Sequence, residues 1–200
     1  MKPTYKISAS LLNSYIYYLN NPTDKNYNSL VNHVRGIFET NKYLERGLKF
    51  EDEVFEGKHG KLSQLLKDLP KQVWANRKII REDYDILISG KLDALDKDKG
   101  RIYDVKRVTS HTHNKYDDSM QHILYFYIMP EINEFYYLVA SGNDKLIKND
   151  VVLYRRPDEK TLEETVMHMI DNFYAFLRQK NLWKDYTEFQ KAKNWGKTSE

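Results

Sequence analysis

The most constraining feature of this sequence is a pair of aspartates inside a predicted β-hairpin near the middle of the chain. Residues 86–95 form an apolar, β-branched run, and residues 101–108 alternate between polar and apolar side chains, as a half-buried strand does. A polar turn, residues 96–100, joins the two strands. Asp93 and Asp104 occupy positions at which a strand normally buries a hydrophobic residue, which predicts a role for them beyond folding.

A lysine accompanies the two acids. Lys106 follows Asp104 by two positions, so both side chains point to the same face of the strand, and a turn near residue 98 brings Asp93 alongside. Buried carboxylates raise each other's pKa, and a divalent cation such as Mg²⁺ or Mn²⁺ relieves their repulsion. Two acids and a lysine on one face favour phosphodiester hydrolysis. The alternative is a solvated hairpin with ordinary surface charges.

The hairpin resembles the core of a known enzyme superfamily. Gly90-Lys91-Leu92-Asp93 followed by Asp104-Val105-Lys106 is similar to the paired G-x-x-D and D-x-K strands of PD-(D/E)XK nucleases, in their RecB-like branch. A helix predicted over residues 119–128 places Gln121 and Tyr125 four positions apart on one face, as in the Q-x-x-x-Y motif of RecB-like and CRISPR-associated nucleases. Each motif is weak alone, whereas the three in this order and spacing are jointly specific.

The N-terminal part of the chain adds a weaker match. Residues 7–15 are similar to the S-x-S-x-L-x-x-Y segment with which RecB-like nucleases often begin, although a helix capped by Ser8 or Ser10 explains the pattern equally well. Asn21-Pro22 stands where the family has Cys-Pro. The chain contains no cysteine, so an iron–sulfur cluster of the kind that some members carry is ruled out, together with disulfides, thiolate zinc sites and cysteine nucleophiles.

The resemblance implies a third acid on a helix predicted over residues 42–55. In the family a glycine lets this helix approach the sheet, and a His or Glu four residues later contributes a metal ligand. Gly47, which costs about 1 kcal/mol relative to alanine inside a helix, supplies the glycine here, and the spacing then selects Glu51. Glu53 is the second choice because it points to another face, and a plain solvated acidic face is the alternative.

The family also implies a fold and a set of roles. The fold is restriction-endonuclease-like, an α/β architecture with a central mixed sheet flanked by helices. The implied ligands of Mg²⁺ or Mn²⁺ are Glu51, Asp93, Asp104 and the backbone carbonyl of Val105. Lys106 is implied to position the attacking water, and Gln121 and Tyr125 to bind the scissile strand or to hold the metal ligands. We expect one nuclease domain over residues 1–200, with its core at about residues 7–154 and a C-terminal helical extension at about residues 160–200.

Charge and hydropathy limit the partners and the compartment. A net charge of +3 permits nucleic-acid binding without indicating it. No apolar run approaches the length of a membrane span, and the N-terminus lacks the apolar stretch of a signal peptide, so we expect a soluble protein of the cytoplasm of a bacterium or a phage-infected host cell. His111 and His113 lie in a polar loop, and without further His or Cys ligands nearby we expect a solvated loop there rather than a zinc site.

The function implied by these motifs is that of a metal-dependent deoxyribonuclease, by analogy an exonuclease of recombination, repair or phage DNA processing. DNA is the expected partner, without a membrane. A homo-oligomer and a recombination partner protein stay open, as do the polarity and the strand preference of cleavage. One alternative is a non-catalytic nucleic-acid-binding or nuclease-inhibiting module on the same fold, which the intact acids and lysine argue against. A small-molecule enzyme on another α/β fold is disfavoured by the lack of a glycine-rich phosphate loop and of G-x-S-x-G.

Overall fold

A computed structural model of the protein describes residues 2–38, 40–112, 114–143 and 147–192, without the side chains of residues 191 and 192. Within those ranges a six-stranded mixed sheet is flanked by seven helices. The strands are β1 (Thr4–Ser8), β2 (Lys71–Ile80), β3 (Asp85–Asp96), β4 (Arg101–Val108), β5 (Glu134–Gly142) and β6 (Ile147–Arg155). The helices are α1 (Ala9–Asn20), α2 (Asp24–Val34), α3 (Lys42–Phe55), α4 (Gly60–Leu66), α5 (Met120–Ile128), α6 (Glu159–Gln179) and α7 (Trp183–Ala192). This open α/β sheet is consistent with the restriction-endonuclease-like fold and confirms the predicted fold class.

The sheet is mixed in the manner expected of that class. Its order is β1-β3-β4-β5-β6, with β2 paired to the other edge of β3. The β1–β3 and β4–β5 pairs are parallel, and the β2–β3, β3–β4 and β5–β6 pairs are antiparallel. Parallel neighbours need a long crossover, which the helices between β4 and β5 and between β1 and β3 provide.

Helices cover both faces of the sheet, because apolar residues alternate along β4 and β5. Ile102, Phe135 and Tyr137 belong to the larger apolar cluster, which is covered by α1, α5 and α6. Val105 and Leu138 belong to a smaller cluster, which is covered by α3 and α4. Side chains of α3 and α5 can therefore meet only where the sheet itself has a gap.

The sheet has such a gap between β3 and β4. β1 pairs with residues 85–89 of β3, and β4 pairs with residues 94–96. Because β2 occupies the opposite edge along most of the strand, β1 and β4 share one edge of β3. Residues 90–93 lie between those two pairings, and in the described part of the chain they have no ladder partner on that edge. We call this opening the fork.

The N-terminal strand β1 was not predicted. The N-terminal pattern predicted a helix capped by Ser8 or Ser10, and α1 does follow Ser8, whose hydroxyl accepts from the backbone N–H of Leu11 at 3.2 Å. The five residues before it form a strand beside β3. A strand this short has too few residues for its alternation to be recognised, and only its pairing with β3 reveals it.

The C-terminal part of the described chain packs α7 against β1. Tyr186 of α7 is buried, and its hydroxyl donates to the backbone carbonyl of Lys6 at 2.9 Å. Residues 193–200, including Trp195, lie outside the described residues. Among the residues that are described, none of the helices combines the length and the apolar character needed to cross a membrane.

Candidate functional site

A tyrosine of α5 enters the fork. The hydroxyl of Tyr125 donates to the backbone carbonyl of Lys91 at 2.8 Å and so replaces a ladder partner of β3. A Cβ atom on Gly90 would overlap the Tyr125 ring and lie 2.7 Å from its hydroxyl oxygen. The glycine of the G-x-x-D motif and the tyrosine of the Q-x-x-x-Y motif are therefore one packing unit.

The two aspartates meet beside the fork. A side-chain oxygen of Asp93 accepts from the backbone N–H of Val105 at 2.7 Å, and Asp104 stands one residue before that N–H. Burial raises the pKa of Asp93 to about 8, and the charge of Asp104 adds to the rise, while the Val105 N–H opposes it. Asp104 is only 3% exposed, and its burial also raises its pKa. The hairpin thus brings together the two acids that its sequence predicted.

Lys106 lies against these acids. Its Nζ is 2.6 Å from Asp104 Oδ2. Burial lowers the pKa of Lys106, but the charges of Asp104 and Asp93 raise it, and the net shift is upward. The lysine therefore keeps its proton through neutral pH, whereas the carboxylates are held above their usual pKa range.

Gln121 also contacts the acids, one turn of α5 before Tyr125. Its side-chain amide donates to Asp104 Oδ1, which lowers the pKa of that carboxyl. Tyr125 is buried, and the hydroxyl that would contact a substrate is bonded to Lys91. Both residues lie in the site, but their contacts are with the chain itself, so binding of the scissile strand by either one stays a prediction.

Glu51 reaches the site from the opposite face of the sheet. Burial raises its pKa, and the charge of Asp104 raises it further. Its carboxylate accepts a hydrogen bond from the side-chain amide of Gln72. Glu51 in turn raises the pKa of Asp93, which places the three carboxylates within electrostatic reach of each other.

Glu53, the second choice, does not join this cluster. Its carboxylate is 3.1 Å from His59 Nε2 and 3.9 Å from Lys49 Nζ, and the hydrogen bond from His59 lowers its pKa. The reason given for Gly47, however, is wrong. A Cβ atom there would meet nothing within 4 Å, so the helix does not approach the sheet through this glycine. Among the described residues, none makes a contact that requires a glycine at this position.

Gln72 is a site residue that the sequence did not indicate. The register pairs Lys71 with Ala94 and Val73 with Leu92, which leaves Gln72 opposite Asp93. Its backbone has a φ of 56°, in the left-handed region that non-glycine residues rarely adopt. This conformation is unfavourable by about 1–3 kcal/mol and occurs most often at functional sites. Glutamine carries no sequence signal for such a backbone, so nothing in the chain could have revealed it.

Tyr116 is a second unpredicted neighbour. It lies in the loop before α5, and its ring stacks on Tyr137 with centroids 4.4 Å apart. Burial raises its pKa to about 12, and the charge of Lys106 acts in the other direction. In the same loop, His111 Nε2 is 3.4 Å from Asp150 Oδ2, whereas His113 lies outside the described residues.

The donor set of the site suits a hard divalent cation, although the acids do not form a ready cage. Carboxylate oxygens are the usual ligands of Mg²⁺ and Mn²⁺, and burial raises the pKa of Asp93 and Asp104, so a bound cation would favour the charged forms that the buried site disfavours. Among the described residues, however, no three His, Cys, Asp or Glu side chains stand close enough to enclose an ion. Cation binding at these residues requires the carboxylates to turn away from their present partners.

A cavity of about 590 Å³ opens beside Lys106, Gln121 and Tyr125. It extends over residues 89–91 of β3 to the exposed ring of Trp74 on β2. We call it the β2 cavity. Its volume lies within the range of about 300–1,000 Å³ that is typical of ligand sites.

Comparisons with known proteins identify the fold only. No family model matches the chain, and no curated protein matches it. The crystal structure of SSO0001 is similar over 85% of this chain and 77% of its own, with 14% sequence identity and a TM-score of 0.53, which is a likeness of fold.

Two more distant structures belong to Rai1. Rai1 of Scheffersomyces stipitis covers 78% of this chain and 54% of its own at 13% identity, with a TM-score of 0.38. Candida albicans Rai1 in complex with pU5 and Mn²⁺ covers 78% and 52% at 11% identity, with a TM-score of 0.37. Similarity at that level carries no argument about this chain.

Proposed function

We propose that the chain is a metal-dependent deoxyribonuclease that hydrolyses DNA phosphodiester bonds, built as a single nuclease domain. The observation that carries the proposal is the buried pair Asp93 and Asp104, with Lys106 Nζ 2.6 Å from the second carboxylate. Two acids held above their usual pKa range beside a protonated lysine are suited to binding a divalent cation and a phosphate together. The coupling of Glu51 to both acids supports its place in the same site.

Each side chain has a role in this proposal. Mg²⁺ or Mn²⁺ would be held by Glu51, Asp93, Asp104 and the Val105 carbonyl, and when bound it activates water and offsets charge on the phosphate. Lys106 presents a fixed positive charge to the transferring phosphate and positions the attacking water.

For Gln121 and Tyr125, the contacts described above favour the ligand-holding role. The Gln121 amide orients Asp104, and Tyr125 keeps the fork open by bonding Lys91. Binding of the scissile strand by the same two residues remains part of the proposal, because both line the β2 cavity.

The biological setting is proposed by analogy alone. As in enzymes of the RecB-like branch, we place the activity as an exonuclease in recombination, repair or phage DNA processing, in the cytoplasm. DNA is the proposed partner, and a second copy of the chain or a recombination partner protein is compatible with the fold.

A non-catalytic nucleic-acid-binding or nuclease-inhibiting module is the second candidate. One observation favours it: each acid already has a partner within the chain. Gln72 donates to Glu51, the Val105 N–H donates to Asp93, and Lys106 is paired with Asp104. Carboxylates that already have partners within the chain favour a site that functions without a cation.

Cleavage assays on purified protein separate the two candidates. We expect linear DNA to be degraded with Mg²⁺ or Mn²⁺ and not with EDTA, and closed circular DNA to be spared if the enzyme is an exonuclease. Lys106→Ala should slow cleavage by about 10²-fold, by analogy with other electrostatic catalysts. Lys97→Ala, which removes an exposed lysine of the β3–β4 turn, serves as the matched control and should cleave normally.

Two results would contradict the proposed activity or its location. A pure preparation that shows no metal-stimulated cleavage of linear, nicked or single-stranded DNA eliminates the nuclease and leaves the binding module. Cleavage that is unchanged in Lys106→Ala places the reaction at another site.

A further inference from the structure

The β2 cavity adjoins the proposed catalytic residues but is not explained by them. We propose that it is a subsite for an unpaired nucleobase of single-stranded DNA, stacked on Trp74 and bonded by Ser89. The inference rests on the proposed nuclease function, since it specifies the form of DNA that this site accepts.

Trp74 is the platform of the proposed subsite. Its side chain is 63% exposed on β2, which within the described ranges pairs with β3 alone, and Lys6 Nζ lies 5.4 Å from the ring centroid. Tryptophan buries a large apolar area when it serves a core, so an exposed indole on the wall of a cavity is suited to a ligand. An aromatic ring stacks on any base regardless of sequence, which is how proteins bind single strands without base-specific contacts.

The position of Trp74 relates this stacking site to the reaction. Trp74 pairs with Lys91 in the β2–β3 register, and Lys91 precedes Asp93 by two residues. Two residues along a strand span about 7 Å. A base on Trp74 therefore belongs to a nucleotide next to the phosphate that the acids hold.

Ser89 gives the cavity a polar group without a partner. Its side chain is only 4% exposed, and within the described chain its hydroxyl has no hydrogen-bond partner. The register places it between Ser8 of β1 and Asn76 of β2, and it lines the cavity. A buried hydroxyl without a partner destabilises the fold, and the polar edge of a base can supply the missing partner.

The charge of the cavity fits a polyanion. Lys6, Lys91 and Lys106 contribute to its lining, and among the described residues no carboxylate does. The remaining walls include the aromatic residues Phe38 and Phe189. A lining that combines lysines with aromatic rings favours a nucleic acid strand over a cation or an apolar peptide.

The form of the DNA follows from the geometry of stacking. A base inside a duplex already stacks on its neighbours and pairs with its partner strand, so it can reach Trp74 only after leaving both. Single-stranded DNA and frayed ends meet no such cost. We therefore expect the protein to bind an unpaired strand more tightly than a fully paired one.

Binding without metal tests the subsite independently of cleavage. The probe is a fluorescein-labelled single-stranded decathymidylate, titrated in EDTA and followed by fluorescence anisotropy, beside a blunt, fully paired duplex of equal length with G·C pairs at both ends to limit fraying. Trp74→Ala should weaken binding of the single strand by about fivefold or more, and Trp74→Phe by less, because stacking persists. Ile80→Ala, which removes another exposed apolar side chain from β2, should bind like the wild type.

Ser89→Ala separates a ligand contact from a structural role. We expect it to weaken binding of the decathymidylate by about two- to tenfold, the effect of one lost hydrogen bond. Its melting temperature should be unchanged or higher than that of the wild type, since the variant removes a buried group that has no partner. A lower melting temperature with unchanged binding would assign Ser89 to the fold and overturn its part of the proposal.

The outcomes keep the subsite and the nuclease apart. If the folded Trp74→Ala variant binds the single strand as tightly as the wild type, the subsite is wrong even where the wild type cleaves DNA with Mn²⁺. If Trp74→Ala loses binding and the wild type never cleaves, the subsite stands and the nuclease fails. Should Trp74→Ala unfold, a twofold or smaller change between wild type and Trp74→Tyr together with a larger loss in Trp74→Leu supports stacking, and equal affinities in all three overturn it.

Discussion

Two buried aspartates of the same sheet, each paired with lysine, have opposite properties. Asp85, at the start of β3, lies 2.9 Å from Lys2 Nζ and 2.6 Å from Lys78 Nζ, and the hydrogen bond from Lys78 followed by that from Lys2 lowers its pKa. Asp104, beside the fork, lies 2.6 Å from Lys106 Nζ, yet burial raises its pKa. An ion pair with lysine therefore accompanies a lowered pKa at Asp85 and a raised pKa at Asp104.

The difference lies in the balance between burial and lysine: burial of Asp104 outweighs the effect of Lys106 on its pKa, whereas at Asp85 the two lysines outweigh burial. The charged groups that act on the pKa of Asp85 are the two lysines, so that site is neutralised by the chain. Asp104 and Asp93 both interact with Lys106 and raise its pKa. The charge of Asp104 raises the pKa of Glu51, and the charge of Glu51 raises the pKa of Asp93. Three carboxylates with raised pKa values around one lysine distinguish the candidate cation site from the structural ion pairs of Asp85.

The backbone of β3 near the two aspartates also differs, in its pairing with neighbouring strands. Residues 85–89 of β3 pair with β1 on one edge and β2 on the other. In the fork, the edge of residues 90–93 is served by the Tyr125 hydroxyl on Lys91. The first segment is built for stability, and the second gives up ladder hydrogen bonds to open a space between strands.

The sharpest way to break this comparison is to neutralise each aspartate in turn. Asp104→Asn keeps the shape and removes a negative charge from the proposed cation site, so we expect cleavage to fall below detection while DNA binding persists. Asp85→Asn leaves both lysines without their carboxylate, so we expect a lower melting temperature and normal cleavage by the variant that remains folded. Cleavage rates and thermal melting of the two variants are the measurements.

The opposite pattern would reverse the assignment. Cleavage that survives in Asp104→Asn but is lost in folded Asp85→Asn would make the start of β3 the active site and the fork a structural feature.

A smaller effect is expected from the two glutamates of α3, which repeat the comparison on one helix. Burial and the charge of Asp104 raise the pKa of Glu51, whereas the hydrogen bond from His59 lowers the pKa of Glu53. We expect Glu51→Gln to weaken Mn²⁺ binding by at least about tenfold and Glu53→Gln to leave it unchanged. Isothermal titration of Mn²⁺ measures both, and loss of affinity in Glu53→Gln alone would show that the wrong glutamate was assigned.

The smallest effect is in the pH dependence of stability without metal. With a pKa raised to about 8, Asp93 stays protonated in the folded state where the unfolded chain has already released that proton, so the stability it contributes falls as pH rises toward about 8. Asp85 has the opposite sign, because its lowered pKa gives stability that is lost only as pH falls below its ordinary range. Melting temperatures between about pH 5 and pH 9 should therefore decline in the wild type and decline less in Asp93→Asn.

Added Mn²⁺ provides the control for this trend. The cation competes with the proton on Asp93, so it should raise the melting temperature more at about pH 8 than at about pH 6. A wild-type melting temperature that rises with pH in EDTA would contradict the raised pKa of Asp93.

Much of the fold was predictable because it depends on local patterns. The alternation in residues 101–108 gave β4, and the four-residue spacing of Gln121 and Tyr125 placed both on α5. β1 was missed, and α2 ends at Val34, shortly before Gly36 in the left-handed region at φ +72°. Short strands and helix ends are set by neighbours that lie far away in sequence.

The candidate site also combines features that local sequence spacing predicts with features that it does not. The two-residue spacing of Asp104 and Lys106 and the turn that returns the chain to Asp93 are properties of the sequence, because strand periodicity and hairpin closure act over a few residues. The sequence also shows a glycine at residue 90. The reason for it, the close packing of the Tyr125 ring, is visible only in the structure.

Only the tertiary structure determined where side chains from the two faces of the sheet meet. The fork forms because β1 and β4 pair with different segments of β3, and through it the site acquires Glu51, Gln72 and the cavity beneath Trp74. None of these contacts follows from a periodicity, since they depend on strand register and on the packing of helices that the chain joins at long range. The sequence by itself determined which acids and which lysine meet, whereas the pairing of distant strands determined the space around them.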